Sequence, residues 1–328
     1  MIDFSKFNSI VSLTSYFNTN DKCKQTIIES RWGAGEEQDV ICPYCGKHHC
    51  KMTKNGRFHC TGCNSNFSCL VDTIFENTKQ PLINWFLAMY FISSHKKGIS
   101  SYQLSKNLAI TQTSAWHMLH KIRSLYGQTD AEEFEGTVEC DEVYIGGKEK
   151  WRHKSMRTPH TQGRSTKTKT PVFGMMERST FINGKGEVEN ISYVHAMVFE
   201  NTNRATLQPV IQQFVAEGSR VITDELNAYN GLSELGYTHA VVKHGDEEYA
   251  KGDIFTNSIE GFWSHFRRMI AGCYHDVSDE HLQSYIDEAV YRWNTRKMSE
   301  SERFAHMFDK SIGLVRKWSE IKVGLMVA

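Results

Sequence analysis

The sequence has no excess of either charge, no long apolar run and no apolar leader. Its 328 residues balance 38 Lys and Arg against 38 Asp and Glu, so net charge alone points to no polyanionic or polycationic partner. The longest apolar run, residues 82–92, contains Asn84 and falls short of the roughly 20 residues that cross a bilayer. Residues 1–12 lack the apolar stretch of a secretory signal. Membrane and secreted classes are set aside, and an intracellular, cytoplasmic protein is expected. What is present suits a folded chain: 40% hydrophobic and 23% charged residues, in a length that holds two or three domains.

The balanced charges are segregated. Residues 1–128 hold 14 basic and 8 acidic side chains, and residues 148–170 hold eight basic ones against Glu149 alone. Residues 219–260 reverse this, with three basic and eight acidic. Basic arms around an acidic centre suit a protein that holds both phosphate and cations.

Four of the nine cysteines form two CxxC pairs, Cys42-Pro-Tyr-Cys45 and Cys60-Thr-Gly-Cys63, with 14 residues between them. Each pair turns two sulfurs toward one point, and four thiolates complete a closed tetrahedral Zn²⁺ site. Gly46 and Gly62 supply the turns, and residues 52–59 are suited to a hairpin between the knuckles. His48, His49 and Cys50 are competing ligands that break the paired geometry. Cys23, Cys69, Cys140 and Cys273 are expected to be core thiols. A reducing compartment follows from this cysteine usage.

After the ribbon, Pro81 opens an apolar helix containing Trp85, Phe86, Met89, Tyr90 and Phe91. The next segment predicts a helix near 100–107, a turn at 109–111 and a second helix from about 112 to 125, a helix-turn-helix sharing Leu104, Leu108, Ala115, Leu119 and Ile122. Its outward residues are expected to be Gln112, Thr113, His117, His120, Lys121 and Arg123, which suit phosphates and base edges. Beside a zinc ribbon, this pattern predicts DNA binding.

Beyond an expected boundary at 130–136 the periodicity becomes extended. Strands are predicted at 137–145, 171–178 and 191–199, then a helix at about 204–217, a strand at 220–223, a helix near 228–235, a strand at 238–242 and a long helix from about 256. This order suggests an α/β, ribonuclease-H-like domain. Asp141 lies mid-strand, sharing a face with Glu139 and Val143 while Cys140 and Glu142 point the other way. Asp224 ends the apolar strand Val221-Ile-Thr-Asp224, at the edge where α/β sheets place ligands. Glu260 stands on the long helix, and Arg267 is seven residues beyond it on the same face. Convergent carboxylates of this kind hold two Mg²⁺ ions about 3.5–4 Å apart in phosphodiester chemistry. Asp141 is expected to bridge the ions, Asp224 and Glu260 to hold one each, and Arg267 to steady a phosphate.

The stretches Val138-Glu-Cys-Asp-Glu-Val-Tyr-Ile-Gly-Gly-Lys148, Pro171-Val-Phe-Gly-Met-Met-Glu-Arg178, Thr223-Asp-Glu-Leu-Asn-Ala-Tyr229 and Thr256-Asn-Ser-Ile-Glu-Gly-Phe-Trp263 resemble the ISXO-like insertion-sequence transposases. So do Tyr274-His-Asp-Val-Ser278 and Tyr291-Arg-Trp-Asn-Thr-Arg296, and the resemblance runs over residues 40–300. It implies a DDE-type catalytic domain, a divalent metal (Mg²⁺ or Mn²⁺) and the DNA ends of a mobile element as substrate. Asp141 and Asp224 match the first two catalytic acids. The third is open between Glu260, chosen here for its charge and spacing, and Asn257, one turn earlier. His244 sits where the family has a histidine, with contact to the scissile phosphate or a plain surface position as its two readings. Phe255 departs from the family, which often has histidine there.

The resulting expectation is a DNA transposase with five segments: an N-terminal helical segment (1–38), the zinc ribbon (39–76), the helix-turn-helix (77–130), the catalytic domain (136–300) and a C-terminal helical tail (301–328). Double-stranded DNA is the partner, read by Gln112, Thr113, His117 and Lys121 and held at phosphates by Arg152, Lys154, Arg164 and Lys167. A homo-oligomer, dimer or larger, is expected because two ends must be joined. The rival readings are a non-catalytic DNA-binding regulator derived from a transposase and a metal-dependent DNA nuclease. Inverted repeats flanking the gene would favour transposition over both.

Overall fold

The computed structural model describes residues 2–127, 133–146, 153–159, 165–182, 185–242 and 254–313. They form two compact units, one built from the described residues up to Leu125 and from 297–313, the other from those within Tyr126–Arg296.

The first unit begins with α1 (Ile10–Tyr16) and α2 (Asn20–Trp32), each opened by a hydroxyl cap, Ser9 and Thr19. A small antiparallel sheet follows, β1 (Lys51–Met52), β2 (Phe58–Cys60) and β3 (Ser65–Phe67). It shares a core with α2, in which Ile28 and Trp32 pack with Val40, Phe58 and Phe67. Helix α3 (Leu82–Ser94) starts directly after Pro81, as expected, and is buried on most sides. The Glu300–Ser311 helix packs here too, with Phe308 5.3 Å from Phe86 between ring centres. Next come α4 (Ser101–Leu108) and α5 (Gln112–Arg123), capped by Ser100 and Thr111 and joined through Ala109 in the left-handed conformation. The five shared apolar residues anticipated between them, from Leu104 to Ile122, are all buried.

The second unit is a mixed α/β layer structure. Its strands are β4 (Thr137–Gly146), β5 (Lys169–Ile182), β6 (Val188–Val198), β7 (Arg220–Thr223) and β8 (Thr238–Val241), in spatial order β6-β5-β4-β7-β8. The first three pair antiparallel, whereas β7 and β8 run parallel to β4. Helix α6 (Arg204–Phe214) covers one face, packing Leu207 and Ile211 onto Val138, Cys140, Phe173 and Val221. Helices α7 (Asn257–Met269) and α8 (Leu282–Asn294) cover the other, over Val143, Val172, Met176, Val194 and Ala196. Alternation along β4 divides its side chains between these two cores, as period-two reading requires.

Helix α7 adheres because Ile259, Phe262, Trp263, Phe266 and Met269 recur at helical spacing and are all buried. Burial of each contributes about 1.5–3 kcal/mol. Helix α8 also closes the outer edge of β6: Asn294 accepts from the Val194 N–H at 2.9 Å and donates to its carbonyl at 3.0 Å, while Gln283 accepts from Val198 at 2.8 Å. Side chains thus satisfy backbone groups that an edge strand would leave open.

Two expectations need correction. The helix expected near 228–235 is a pair of short 3₁₀ turns, Asn227–Tyr229 and Leu232–Leu235, separated at Gly231, whose φ of +90° no continuous helix accommodates. Cys273 is only half-buried, unlike Cys23, Cys69 and Cys140. Among the described residues no helix is long and apolar enough to cross a membrane.

Candidate active site and zinc centre

Among the described residues, two groups of side chains bring ligand atoms within 4.8 Å of one another. The first is Cys42, Cys45, Cys60 and Cys63. The Sγ atoms of Cys42 and Cys63 are 3.7 Å apart and those of Cys45 and Cys60 3.5 Å, close to the roughly 3.8 Å edge of a tetrahedron with 2.3 Å Zn–S bonds. The N–H groups of Cys63 and Gly62 bring the Cys60 thiol down to about 6, while the neighbouring sulfurs of Cys60, Cys42 and Cys63 push Cys45 up to about 12, so the four share few negative charges unless a cation joins them. A Cβ on Gly62 would stand 3.4 Å from two of the sulfurs. The competing ligands are engaged elsewhere. His48 Nδ1 and the His49 N–H both bond Asp39, and the Cys50 thiol points at the Lys47 carbonyl.

The second group is Asp141, Glu142 and Asp224. The parallel register explains the pairing of the aspartates. Thr137 lies beside Arg220 and Glu139 beside Ile222, a constant offset of 83 that carries Asp141 to the level of Asp224. Strand β7 ends at Thr223 while β4 continues. Among the described residues no strand pairs with β4 on this side at that level, and the Glu142 carboxylate, although on the opposite face, lies within 4.8 Å of both aspartates. Tyr229, fully buried, donates its hydroxyl to Glu142 Oε2 at 2.8 Å. Asp224 accepts from the Leu226 N–H at 2.9 Å, which fixes the turn that follows the strand.

Burial first, then the neighbouring Glu142 and Asp224 charges, push the Asp141 carboxyl up to about 7. Crowded carboxylates resist ionising together, and a divalent cation relieves that repulsion. Their hard oxygens are the donor set that Mg²⁺ or Mn²⁺ prefers.

Of the three acids singled out in the sequence, the structure brings Asp141 and Asp224 together. Glu260 is not in the tight group, but its charge is felt at Asp141. It lies on the exposed face of α7 with Asn257 and Arg267, and its Oε1 accepts from the Thr256 hydroxyl at 3.3 Å. Glu142 is the member that sequence reading missed: alternation set it on the face of Cys140, where Tyr229 holds it, and so left it out of the acidic group that its carboxylate nonetheless joins. Its adjacency to Asp141 near a strand end, with a tyrosine in the Asp224 motif, was the available signal.

The outward face expected of α5 also needs correction. Gln112 and Thr113 are exposed and His117 is half-buried, but His120 and Arg123 are buried. Lys121 is half-buried and donates to the Ile74 and Glu76 carbonyls at 3.1 and 3.3 Å. The last turns of α5 carry buried residues on more than one face, which a single amphipathic stripe did not anticipate. Lys154 and Lys167 are exposed. Arg152, Arg164 and His244 lie outside the described residues.

Residues 133–294 match the ISXO2-like transposase domain, and residues 18–66 match the transposase zinc-ribbon domain, which thereby takes in α2. An "uncharacterized protein in transposable element ISH50" of Halobacterium salinarum is 27% identical over 284 residues, covering 82% of this chain and 89% of that protein. An "uncharacterized transposase-like protein" of Haemophilus influenzae is 29% identical over 105 residues, 32% of this chain and 84% of that one. Similar solved structures include a Mos1 transposase paired-end complex with left transposon end, at 10% identity over 69% of this chain and 78% of that chain, TM-score 0.23. The Mos1 strand transfer complex follows at 13% identity, 71% and 79% coverage, TM-score 0.22.

Proposed function

This chain belongs to the ISXO2-like transposase family, and we propose that it is a DNA transposase that binds the ends of its element, cleaves them and joins them to target DNA. The observation that carries this reading is the convergence of Asp141, Glu142 and Asp224 at the open end of β4 and β7, beside the helix that bears Glu260. We read the β6-β5-β4-β7-β8 sheet as the ribonuclease-H-like scaffold for that chemistry.

In this reading Asp141 and Asp224 hold the catalytic metal, with Glu142 and Glu260 completing the oxygen set and Asn257 as the alternative to Glu260. Divalent ions bound there supply activation of the attacking oxygen and stabilisation of the leaving oxygen. The carboxylates orient the site and accept no covalent bond. Water first hydrolyses a phosphodiester and frees a 3′-hydroxyl. That hydroxyl then displaces a bridging oxygen in the target, so one phosphodiester replaces another and no ATP is consumed. Arg267, exposed two turns beyond Glu260, meets a substrate phosphate.

The four cysteines hold a structural Zn²⁺, and α4 and α5 form the helix-turn-helix. Gln112 and Thr113 stand exposed at the start of α5, where a recognition helix places its base-reading residues. Lys154 and Lys167 hold phosphate without sequence preference, and two copies or more act together on paired ends.

The test is purified protein with labelled duplex DNA from the gene's flanks, in Mg²⁺ or Mn²⁺. Joined products are the expected outcome. Cleavage without joining would replace this reading with a nuclease, and binding without cleavage would replace it with a regulator.

A further inference from the structure

Glu139 stands two residues before Asp141 on β4 and is fully buried. Its Oε2 accepts the backbone N–H groups of Ser258 and Ile259, each at 3.0 Å. They are the N2 and N3 amides, one of which a helix N-cap side chain ordinarily satisfies. The cap residue of α7, Thr256, makes no such bond, and its hydroxyl goes to Glu260 instead. The strand therefore supplies the cap that the helix lacks, with a negative group at the positive end of the helix dipole. Glu139 Oε1 accepts from Arg178 Nε on β5 at 2.5 Å. Arg178 also donates to the Phe255 carbonyl, and its guanidinium lies 3.6 Å from the centre of the Phe255 ring.

We infer that Glu139, with Arg178, is a positioning residue that fixes the first turn of α7, and so Asn257 and Glu260, against the Asp141 end of β4. The inference rests on the transposase reading above. Glu260 lies on the exposed face of its helix, so its place relative to Asp141 follows the helix backbone. A metal-centred group must be held to within about 0.5 Å, and Glu139 ties the backbone of residues 258 and 259 to the strand two positions from Asp141. Stability alone does not call for this arrangement, because a buried ion pair gains little over well-packed apolar side chains. The same contacts give Phe255 a role: its carbonyl and ring anchor Arg178 at the entry to α7.

Two variants of the full-length protein test this. Glu139→Leu with Arg178→Met removes both charges together and leaves no unpaired buried ion; Glu139→Gln keeps shape but loses charge. The readouts are Mn²⁺ binding to the protein alone by electron paramagnetic resonance, and single-turnover cleavage of an element end, with DNA affinity measured separately. The double variant is expected to fold with a wild-type circular dichroism spectrum, to need about 10- to 100-fold more Mn²⁺, and to cleave correspondingly slower at unchanged DNA affinity. Glu139→Gln should show the same change in smaller degree. Wild-type Mn²⁺ binding and cleavage in a folded variant would overturn the inference, and if the double variant fails to fold, Glu139→Gln decides by the same readouts. Wild-type protein that neither binds Mn²⁺ nor cuts DNA would instead remove the transposase reading, and this inference with it.

Discussion

The ring of Trp263 fills the space that a Cβ on Gly174 would occupy: such an atom would stand 2.5 Å from Cζ2 and 2.9 Å from Cη2. Gly174 lies directly across the ladder from Asp141, and Trp263 is three residues past Glu260 on α7. The missing side chain on β5 lets the helix approach the sheet at the level of the acidic cluster.

Gly174→Ala should therefore push α7 outward, since the added methyl meets ring atoms and not a flexible tip. A destabilisation of about 1–3 kcal/mol is expected, with a loss of cleavage larger than the loss of folded protein. Trp263→Leu added to Gly174→Ala should restore part of both. Thermal unfolding and an end-cleavage assay check this, and wild-type behaviour of Gly174→Ala would contradict the seating of α7 on β5.

The ribbon should contain one zinc per chain. Cys42→Ser and Cys60→Ser should lose the metal and the fold of β1, β2 and β3, whereas Cys50→Ser, outside the four-sulfur group, should keep it. Elemental analysis of purified protein separates these outcomes. Structural zinc contributes directly to folding free energy, so chelation should unfold the ribbon reversibly.

His195 supplies a pH test on the other face of the sheet. Its ring packs 4.2 Å from Phe214, its Nε2 has no hydrogen-bond partner among the described residues, and burial pushes its pKa from 6.5 down to about 4. The unfolded chain therefore takes up this proton first. Stability from the neutral ring is complete above pH 6.5 and is lost as pH falls from 6.5 toward 4, by at most about 3 kcal/mol. His195→Leu should flatten that acid limb in urea unfolding between those pH values. An unchanged limb would assign it to other groups.

Tyr229→Phe removes the hydroxyl that orients Glu142. About 1 kcal/mol of stability should go with the hydrogen bond, and Mn²⁺ affinity should weaken by about tenfold, read by calorimetric titration. Unaltered affinity would take Glu142 out of the metal site.

Much of this was legible in the sequence because the signals were local. The CxxC knuckles, the turn at 109–111 between two helices, and the strand ending at Thr223 each depend on a few neighbouring residues. Alternation along β4 correctly assigned Cys140 to one core and Val143 to the other. It set Glu142 correctly on the face of Cys140 but could not show that, past the end of β7 at Thr223, the Glu142 carboxylate comes near both aspartates. Glu139 was placed on the right face, but its partners on α7 lie 119 and 120 residues away, beyond any periodic pattern. The buried His120 and Arg123 escaped for a similar reason, since polar type alone does not say which helix surface another element covers.

We propose that Asp141 and Asp224 form one metal-dependent site for cutting and joining DNA. Its most direct test is strand transfer by Asp224→Asn protein, set beside wild type on the same labelled element ends in Mn²⁺. The variant is expected to keep its zinc and its affinity for the ends but to yield neither cleaved nor joined product. Joined product from Asp224→Asn at the wild-type rate would contradict it.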